Sequence, residues 1–482
     1  MSEVHADSNE RPRCVVMKFG GTSVEDAAAI RRLCQIVNGR LRYHPVVVVS
    51  ALAKVTDQLF GAGNAAARCD HENACTILQE IEGRHSMLSR ELLAAEEGNA
   101  LCQDLATDFR ATYELLASIS VARDFSLQAQ DHLLGMGEHF SSKIVHSALV
   151  QSGLDAVWVD AKDCIVTDAA HTRATPLWKE TNHKLGSLLV PLIGAGRIPV
   201  LGGFAGSTRD GLPTTLGRGG SDFSAAIVGA GLHATRIEIW TDVDGVMTTD
   251  PNLCSEARCV GRMSFDEAAE LAYFGAKVLH PSTLLPARRQ DIPVWVLNSR
   301  NPEGAGTEIS AHSHDDGRIK ALSVKRGVAV VDVEPVRWLA PELLREVCEV
   351  FENHQHTLDL LSASRGSLSL LVTSTAALPA IAEELKGLAS VRWENHKALV
   401  CLVGEKIRRR PEIASKVFRA ISDIDMRMIC QGASERSIGF LVDESRAEES
   451  IKRLHKVFFS SESTPEPRAS NYALCQSGGT WQ

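Results

Sequence analysis

Two short runs near the start of the chain, Val15-Val16-Met17-Lys18-Phe19 and Pro45-Val46-Val47-Val48-Val49-Ser50, are almost wholly apolar and bounded by turn residues. β-Branched runs of this length without alternation predict strands buried on both faces, as in a parallel sheet. Between them, Glu25 to Arg40 carries apolar residues at helical spacing, which predicts a βαβ unit. From about Asp57 to Leu134 the chain is rich in Ala, Leu, Glu and Arg with few strand signals, and predicts a mostly helical insertion. Strands resume at Ala156 to Val159, Ile198 to Leu201, Arg236 to Thr241 and Pro293 to Leu297, with helical stretches between them. The alternation predicts an α/β sandwich around a mainly parallel sheet.

The texture changes after Asn298 to Arg318, a loop-like stretch rich in Gly, Ser, Asn and Asp that reads as a domain boundary. Beyond it come a strand (Val328 to Glu334), a helix (Pro341 to Asn353), two strands (Thr357 to Ser362, Ser367 to Thr373), a helix (Leu378 to Leu388) and a strand (Val391 to Glu394). That is βαββαβ. The order starts again with Ala398 to Val403, Glu412 to Ser422, Met426 to Gln431, Ile438 to Val442 and Ala447 to Phe458, but lacks a final strand. Lys320 to Lys325 fills that gap if the first unit is nested inside the second. The polar N-terminus (1–13) and the Pro/Ser-rich tail (461–482) are expected to be disordered.

Composition narrows the classes. A chain of 482 residues implies roughly two to four domains. A net charge of −9 gives no basic field for nucleic acid or an anionic membrane. No apolar run is long enough to span a bilayer, and the N-terminus lacks the apolar core of a signal peptide. Twelve cysteines without a C-x-x-C pair read as free thiols in a reducing cytoplasm. No histidine spacing of the H-E-x-x-H kind marks a zinc site.

Four stretches carry chemistry. Lys18-Phe19-Gly20-Gly21-Thr22-Ser23 ends a strand in a glycine turn before a helix, where bare backbone, helix amides and a lysine suit a phosphate. Alone it is equally a tight βα turn with a surface lysine. Thr215-Leu216-Gly217-Arg218-Gly219-Gly220-Ser221-Asp222 places glycines around an arginine, an anion nest whose guanidinium can hold a carboxylate by two bonds. A simple N-cap at Ser221 or Asp222 would leave the glycines and Arg218 unexplained. Trp240-Thr241-Asp242-Val243-Asp244-Gly245 ends a strand at the sheet edge where open α/β sheets bind ligands, though an Asp-Gly turn alone would look the same. Phe274-Gly275-Ala276-Lys277-Val278-Leu279-His280-Pro281 offers a second phosphate cation or merely a charged helix end.

Together, KFGGTSV, GRGGSD, TDVDG and FGAKVLHP, with Met136 to Lys143 (MGEHFSSK), resemble the aspartate kinases, within the amino-acid kinase fold. The resemblance covers essentially residues 14 to 460, and the nested βαββαβ pair matches that family's two ACT domains. It is nearest the monofunctional, lysine-sensitive type, with no room for a homoserine dehydrogenase half. The fold expected is therefore an α/β/α amino-acid kinase sandwich at 14–310, with the helical insertion at 57–135. It is followed by an ACT domain at 327–395 and a second, from 319–326 and 396–460, enclosing it.

The resemblance implies ATP with Mg²⁺ and the side-chain carboxylate of L-aspartate as acceptor. Lys18 and Asp222 take the catalytic positions. Phe19, Gly20, Gly21, Thr241, Asp242 and Lys277 fall at the nucleotide. Ser50, Thr56, Glu138, Phe204, Arg218 and Ser221 line the substrate pocket, where a buried Arg218 clamps the α-carboxylate and Glu138 pairs with the ammonium. Gly20 and Gly21 amides would cradle the transferred group. The nucleophile is already ionised near neutral pH, so charge neutralisation and positioning are the whole task and no base is required. The metal's ligands are not implied.

Some positions depart from the family pattern: Met247 and Asn252 in the nucleotide loop, and Lys54, expected to point at solvent. A homodimer or tetramer through the ACT units is expected. Of the implied effector residues, Asp359 and Ser364 match, while Arg337, Glu342 and Arg365 do not. An arginine replacing an acid would repel a lysine ammonium, so lysine inhibition is expected to be weakened, lost or replaced. Two competing readings remain: a kinase of the same fold acting on another substrate, and a catalytically weak ACT-type amino-acid sensor. Lys18, Arg218, Asp222 and Lys277 speak against the sensor.

Overall fold

A computed structural model describes residues 13–276, 279, 281–311, 317–336, 341–432 and 434–460. Of the disordered termini expected at 1–13 and 461–482, all but Arg13 lie outside the described residues, and so do Lys277, His280 and Arg337.

The first part of the chain builds one sheet from β1 (Val15–Phe19), β2 (Pro45–Val49), β3 (Ala156–Trp158) and β4 (Ile198–Gly202), with a separate hairpin of β5 (Ala205–Ser207) and β6 (Pro213–Thr215). It continues with β7 (Arg236–Thr241), β8 (Arg262–Ser264), β9 (Val294–Asn298) and β10 (Thr307–Ser310). The order is β3-β4-β2-β1-β7-β9-β10-β8. Every pairing is parallel except β10 with β9. The sheet was expected to be mainly parallel; β10 is a correction to the loop predicted across 298–318. Its Thr307 and Ile309 are buried on alternate positions, but four residues in a Gly-rich stretch are too short a pattern to stand out.

Helices cover both faces: α1 (Ala27–Asn38), α2 (Val55–Ala67), α3 (His71–Leu92), α4 (Ala95–Ala122), α5 (Leu127–Gln151), α6 (Ala161–Cys164), α7 (Trp178–Gly194), α8 (Gly220–Leu232), α9 (Phe265–Tyr273) and α10 (Leu285–Arg289). Strand alternation sorts the core. Val15, Met17 and Phe19 of β1 join the cluster packed by α1 to α5. Val16 joins the opposite cluster, with Ile227 and Val228 of α8. Lys18, two residues on, therefore projects toward α8. That helix lies close because it is built of small residues: a Cβ at Gly229 would sit 2.6 Å from Ile237, and one at Gly231 2.4 Å from Leu185.

The second part forms a six-stranded antiparallel sheet, ordered β12-β13-β11-β14-β16-β15. Its strands are β11 (Ala321–Pro335), β12 (Leu360–Ala363), β13 (Leu368–Val372), β14 (Ala389–Val403), β15 (Met428–Gln431) and β16 (Ser437–Asp443). Its helices are α11 (Pro341–Asn353), α12 (Leu378–Glu384), α13 (Pro411–Ala420) and α14 (Glu444–Phe459). Two pairs of predicted strands, 320–325 with 328–334 and 391–394 with 398–403, prove to be single strands, β11 and β14. They pair along almost their whole length, with the register shifting between Lys325 and Val330. Gly327, at φ +68°, lets β11 bulge there without breaking.

The two parts touch through specific contacts. The Leu322 N–H donates to the Thr248 carbonyl at 2.7 Å, and Ser437 Oγ to Glu270 Oε1 at 2.6 Å. Thr248 Oγ1 lies 3.0 Å from Nε2 of the buried His455 on α14. Among the described residues, no helix is long and apolar enough to cross a membrane.

Candidate active site

Chain order reverses beside β1: the path from β1 leads to β2 on one side, and β7 is added on the other. Open α/β sheets bind ligands at the carboxyl ends of strands at such a point. The carboxyl ends of β1, β2, β4 and β7 place Gly20 to Ser23, Ser50 to Thr56, Gly203 to Phe204 and Asp242 around one crevice. The N-terminus of α8 closes it.

Lys18 is 8% exposed, and its Nζ lies 2.6 Å from Oδ1 of Asp222 in the first turn of α8. Partial burial strengthens such a pair relative to one in water. The Gly20 N–H donates to the Trp240 carbonyl at 2.9 Å, so it closes the sheet and does not point at a phosphate, contrary to the role expected of it. The amides of Gly21 and Thr22, at the start of the 3₁₀ turn Gly21–Ser23, are the ones left for an anion. A Cβ at Gly21 would stand 3.1 Å from the Ala51 carbonyl, which explains why that position is bare. Phe19 stacks on Trp240 with centroids 6.0 Å apart and serves the core. Ser23, which the motif reading passed over, donates to Ser299 at 2.8 Å and ties the turn to the residue after β9.

α8 has no side-chain N-cap: Gly219, at φ +73°, stands there. The capping role considered for Ser221 and Asp222 is therefore not the one they play. Ser221 Oγ donates to Glu138 Oε1 at 3.3 Å. Glu138 is fully buried on α5 and its second carboxyl oxygen has no partner. Desolvation pushes its pKa up to about 7, against the opposing pull of the Ala51 backbone, Ser221 and Lys18. Such a carboxylate is set to receive a cation.

Bare glycines bring these groups together. A Cβ at Gly203 would lie 2.7 Å from that of Ser221, and one at Gly202 2.9 Å from the Glu138 carbonyl. Phe204, at φ +64°, packs its ring where a Cβ of Gly220 would fall at 2.4 Å. Ser50 accepts at its carbonyl from Ser141 Oγ at 2.8 Å, and Thr56 is half-buried in the first turn of α2.

Arg218 is exposed, a correction to the buried clamp expected, and among the described residues no hydrogen bond or ion pair engages it. The glycines on either side hold the turn open at φ +76° and +73°, which leaves the guanidinium free to swing onto an anion. Thr241 Oγ1 donates to Asp242 at 3.2 Å on the same edge. Lys277 lies outside the described residues, but its neighbour Gly275 rests against β11, where a Cβ would be 3.0 Å from the Val324 carbonyl.

The departing positions have structural roles. Asn252 donates from backbone and side chain to Asp250 Oδ1, at 2.9 and 3.0 Å, and pins the loop after β7. Met247 forms a bridge with Cys259. Lys54 is exposed, as expected, at φ +71°. In the second part, Asp359 is not open: Lys325 Nζ reaches its Oδ1 at 2.7 Å, and the Tyr273 hydroxyl from α9 donates to its carbonyl. Ser364 lies 2.9 Å from the Ser367 hydroxyl. Among the described residues, no cluster of three or more acidic, His or Cys side chains could hold a metal.

Comparison with known proteins identifies the family. Residues 13–298 match the model of the amino acid kinase family, and residues 400–458 an ACT domain. The chain is 34% identical over 474 residues to a chloroplastic aspartokinase 3 of Arabidopsis thaliana, covering 95% of this chain and 83% of that one. It is 32% identical to the lysine-sensitive aspartokinase 3 of Escherichia coli (strain K12), covering 92% and 99%. The crystal structure of E. coli aspartokinase III with aspartate and ADP superposes with a TM-score of 0.81 at 32% identity, over 93% of this chain and 100% of that one. The chain belongs to the aspartokinases of the amino acid kinase family.

Proposed function

We propose that this chain transfers the γ-phosphoryl group of ATP to the side-chain carboxylate of L-aspartate, giving ADP and 4-phospho-L-aspartate. One observation carries the reading. Adjacent residues of a single helical turn, Ser221 and Asp222, hold Glu138 and Lys18 respectively. A site for an ammonium and a site for a phosphate are thereby fixed side by side, as transfer from nucleotide to amino acid requires.

Lys18 would neutralise the transferred phosphate, and the Gly21 and Thr22 amides would meet its oxygens. Asp222 keeps the ammonium aimed into the crevice. Glu138 would receive the substrate ammonium and Arg218 its α-carboxylate. Thr241, Asp242 and Lys277 are assigned to the nucleotide. A Mg²⁺ ion arriving with ATP would supply further neutralisation of phosphate charge. The attacking carboxylate needs no deprotonation, so the protein's work is bringing two anions together.

We further assign residues 14–310 to catalysis and the nested units at 327–395 and 319–326 plus 396–460 to amino-acid sensing and subunit pairing, as a homodimer or tetramer in a reducing cytoplasm. An effector would bind near Asp359 and Ser364. Because Lys325 already neutralises Asp359, a lysine ammonium must displace it, which supports weakened lysine inhibition. Trapping the acyl phosphate with hydroxylamine, in parallel on aspartate, glutamate and N-acetylglutamate, tests the substrate assignment. It also distinguishes it from a sensor, which would turn over none of them.

A further inference from the structure

Seven residues before Glu138, on the same face of α5, stands Asp131. Its side chain is completely buried, yet it is far from lacking partners. The Thr172 amide donates to both its oxygens, at 2.9 and 3.1 Å. His171 Nδ1 lies 2.7 Å away, and the Thr215 hydroxyl completes the set. A carboxylate only accepts, so the His171 proton sits on Nδ1.

These contacts lead to one place. Thr215 is the last residue of β6 and stands three positions before Arg218. Its carbonyl accepts from the Ala174 amide at 2.9 Å, which joins the hairpin to the loop at 171–175. Thr172 has φ +65°, a left-handed conformation that a β-branched residue rarely adopts. Backbone strain of this kind persists where surrounding bonds over-determine it, and Asp131 supplies such bonds. The strained residue abuts the arginine turn directly: a Cβ on Gly217 would lie 2.9 Å from the Thr172 carbonyl.

We propose that Asp131, with His171 and Thr215, is a positioning group that fixes the Gly217–Gly219 turn, so that Arg218 is presented at a set distance from Glu138 to the substrate carboxylate. One helix then controls both ends of the α-amino acid: Glu138 directly, and Arg218 through Asp131. The inference rests on the reading of Arg218 as the α-carboxylate clamp.

Asp131→Asn keeps the shape but turns an amide NH₂ toward groups that are themselves donors. The expected result is a rise in the aspartate KM on the order of tenfold or more, since small misplacements of binding groups cost this much. The KM for ATP and kcat at saturating aspartate stay near wild type. If Asp131→Asn does not fold, Thr215→Val decides, with the same split expected. His171→Asn retains a donor at the Nδ1 position and should keep the wild-type KM, whereas His171→Ala raises it. An unchanged aspartate KM in a folded Asp131→Asn or Thr215→Val enzyme overturns the proposal. So does a parallel loss in all three parameters together with melting temperature, the mark of a merely structural role. Arg218→Ala separates the two levels. If it leaves the aspartate KM unchanged, the clamp reading fails and this inference with it. If it raises the KM while the Asp131 and Thr215 variants do not, this inference alone fails.

Discussion

Lys18 on the central strand and Asp222 in the first turn of α8 meet at 2.6 Å, each largely shielded from water. The pair joins two motifs that lie some two hundred positions apart in the chain. Strand alternation sends Lys18 to the α8 face, and the absence of a side-chain cap leaves Asp222 free to receive it. Replacing Lys18 by Ala should lower kcat by on the order of 10²–10³, the usual cost of losing one preorganised charge-stabilising group. Asp222→Asn should lower it less, because the ammonium remains. Steady-state kinetics with a melting curve for each variant checks both; a kcat within threefold of wild type for Lys18→Ala would contradict the role.

Glu138 gives the site a pH dependence. Its pKa is raised to about 7 by burial, so below neutrality the free enzyme holds it as the neutral acid. Only the carboxylate attracts the substrate ammonium. The kcat/KM for aspartate should therefore rise with pH through about 7 and level off above it. Glu138→Gln should abolish that limb and raise the aspartate KM. A profile flat from pH 6 to 8 in the wild-type enzyme would exclude Glu138 as the ammonium partner.

His85 governs acid stability. It is wholly buried against Phe109 and Phe140, with Nδ1 bonded to the Ile81 carbonyl at 2.7 Å and Nε2 unpartnered. Burial lowers its pKa from 6.5 to about 4. The unfolded chain thus binds a proton that the folded one refuses. Stability is full above pH 6.5, falls as pH drops toward 4, and is then level for this group, a loss of about 3 kcal/mol. Glu138, with its pKa raised to about 7, gives an opposing slope over the same range, so the decline is read as a difference: in denaturant melts between pH 7 and 4.5, the wild type should lose stability relative to His85→Leu.

The Lys325–Asp359 pair predicts the regulatory phenotype. Lysine should inhibit weakly, since its ammonium competes with a tethered one. Lys325→Ala frees the carboxylate and should sharpen lysine inhibition by roughly tenfold, the equivalent of about 1.4 kcal/mol. Inhibition titrations on both enzymes decide it: a variant no more sensitive than wild type would remove Asp359 from the effector site.

Much of this was legible in the chain itself, for physical reasons. β1, β2 and β4 are almost wholly apolar strands because helices cover both sheet faces, and such runs stand out. The glycine turns stand out because close approach leaves few alternatives to glycine at Gly21 and Gly220. The short strands β5, β6, β8 and β10 did not stand out: three or four residues carry no period, and distant partners order them. The continuity of β11 was hidden by Gly327, which looked like a break and is a bulge. Asp131 was invisible for a different reason. A single acid on a helix carries no signal until folding brings Thr172 and Thr215 to it. The exposure of Arg218 was likewise beyond a motif, which names the residue but not the state of its turn.

The most direct test of the account is acyl phosphate formation from ATP, trapped as the hydroxamate, with L-aspartate, L-glutamate, N-acetyl-L-glutamate and N-acetyl-L-aspartate as acceptors. The account predicts turnover with L-aspartate and none with either N-acetyl compound, which lacks the free ammonium that Glu138 requires. Turnover of N-acetyl-L-aspartate at a comparable kcat/KM would contradict it, since the buried carboxylate would then have no part in choosing the substrate.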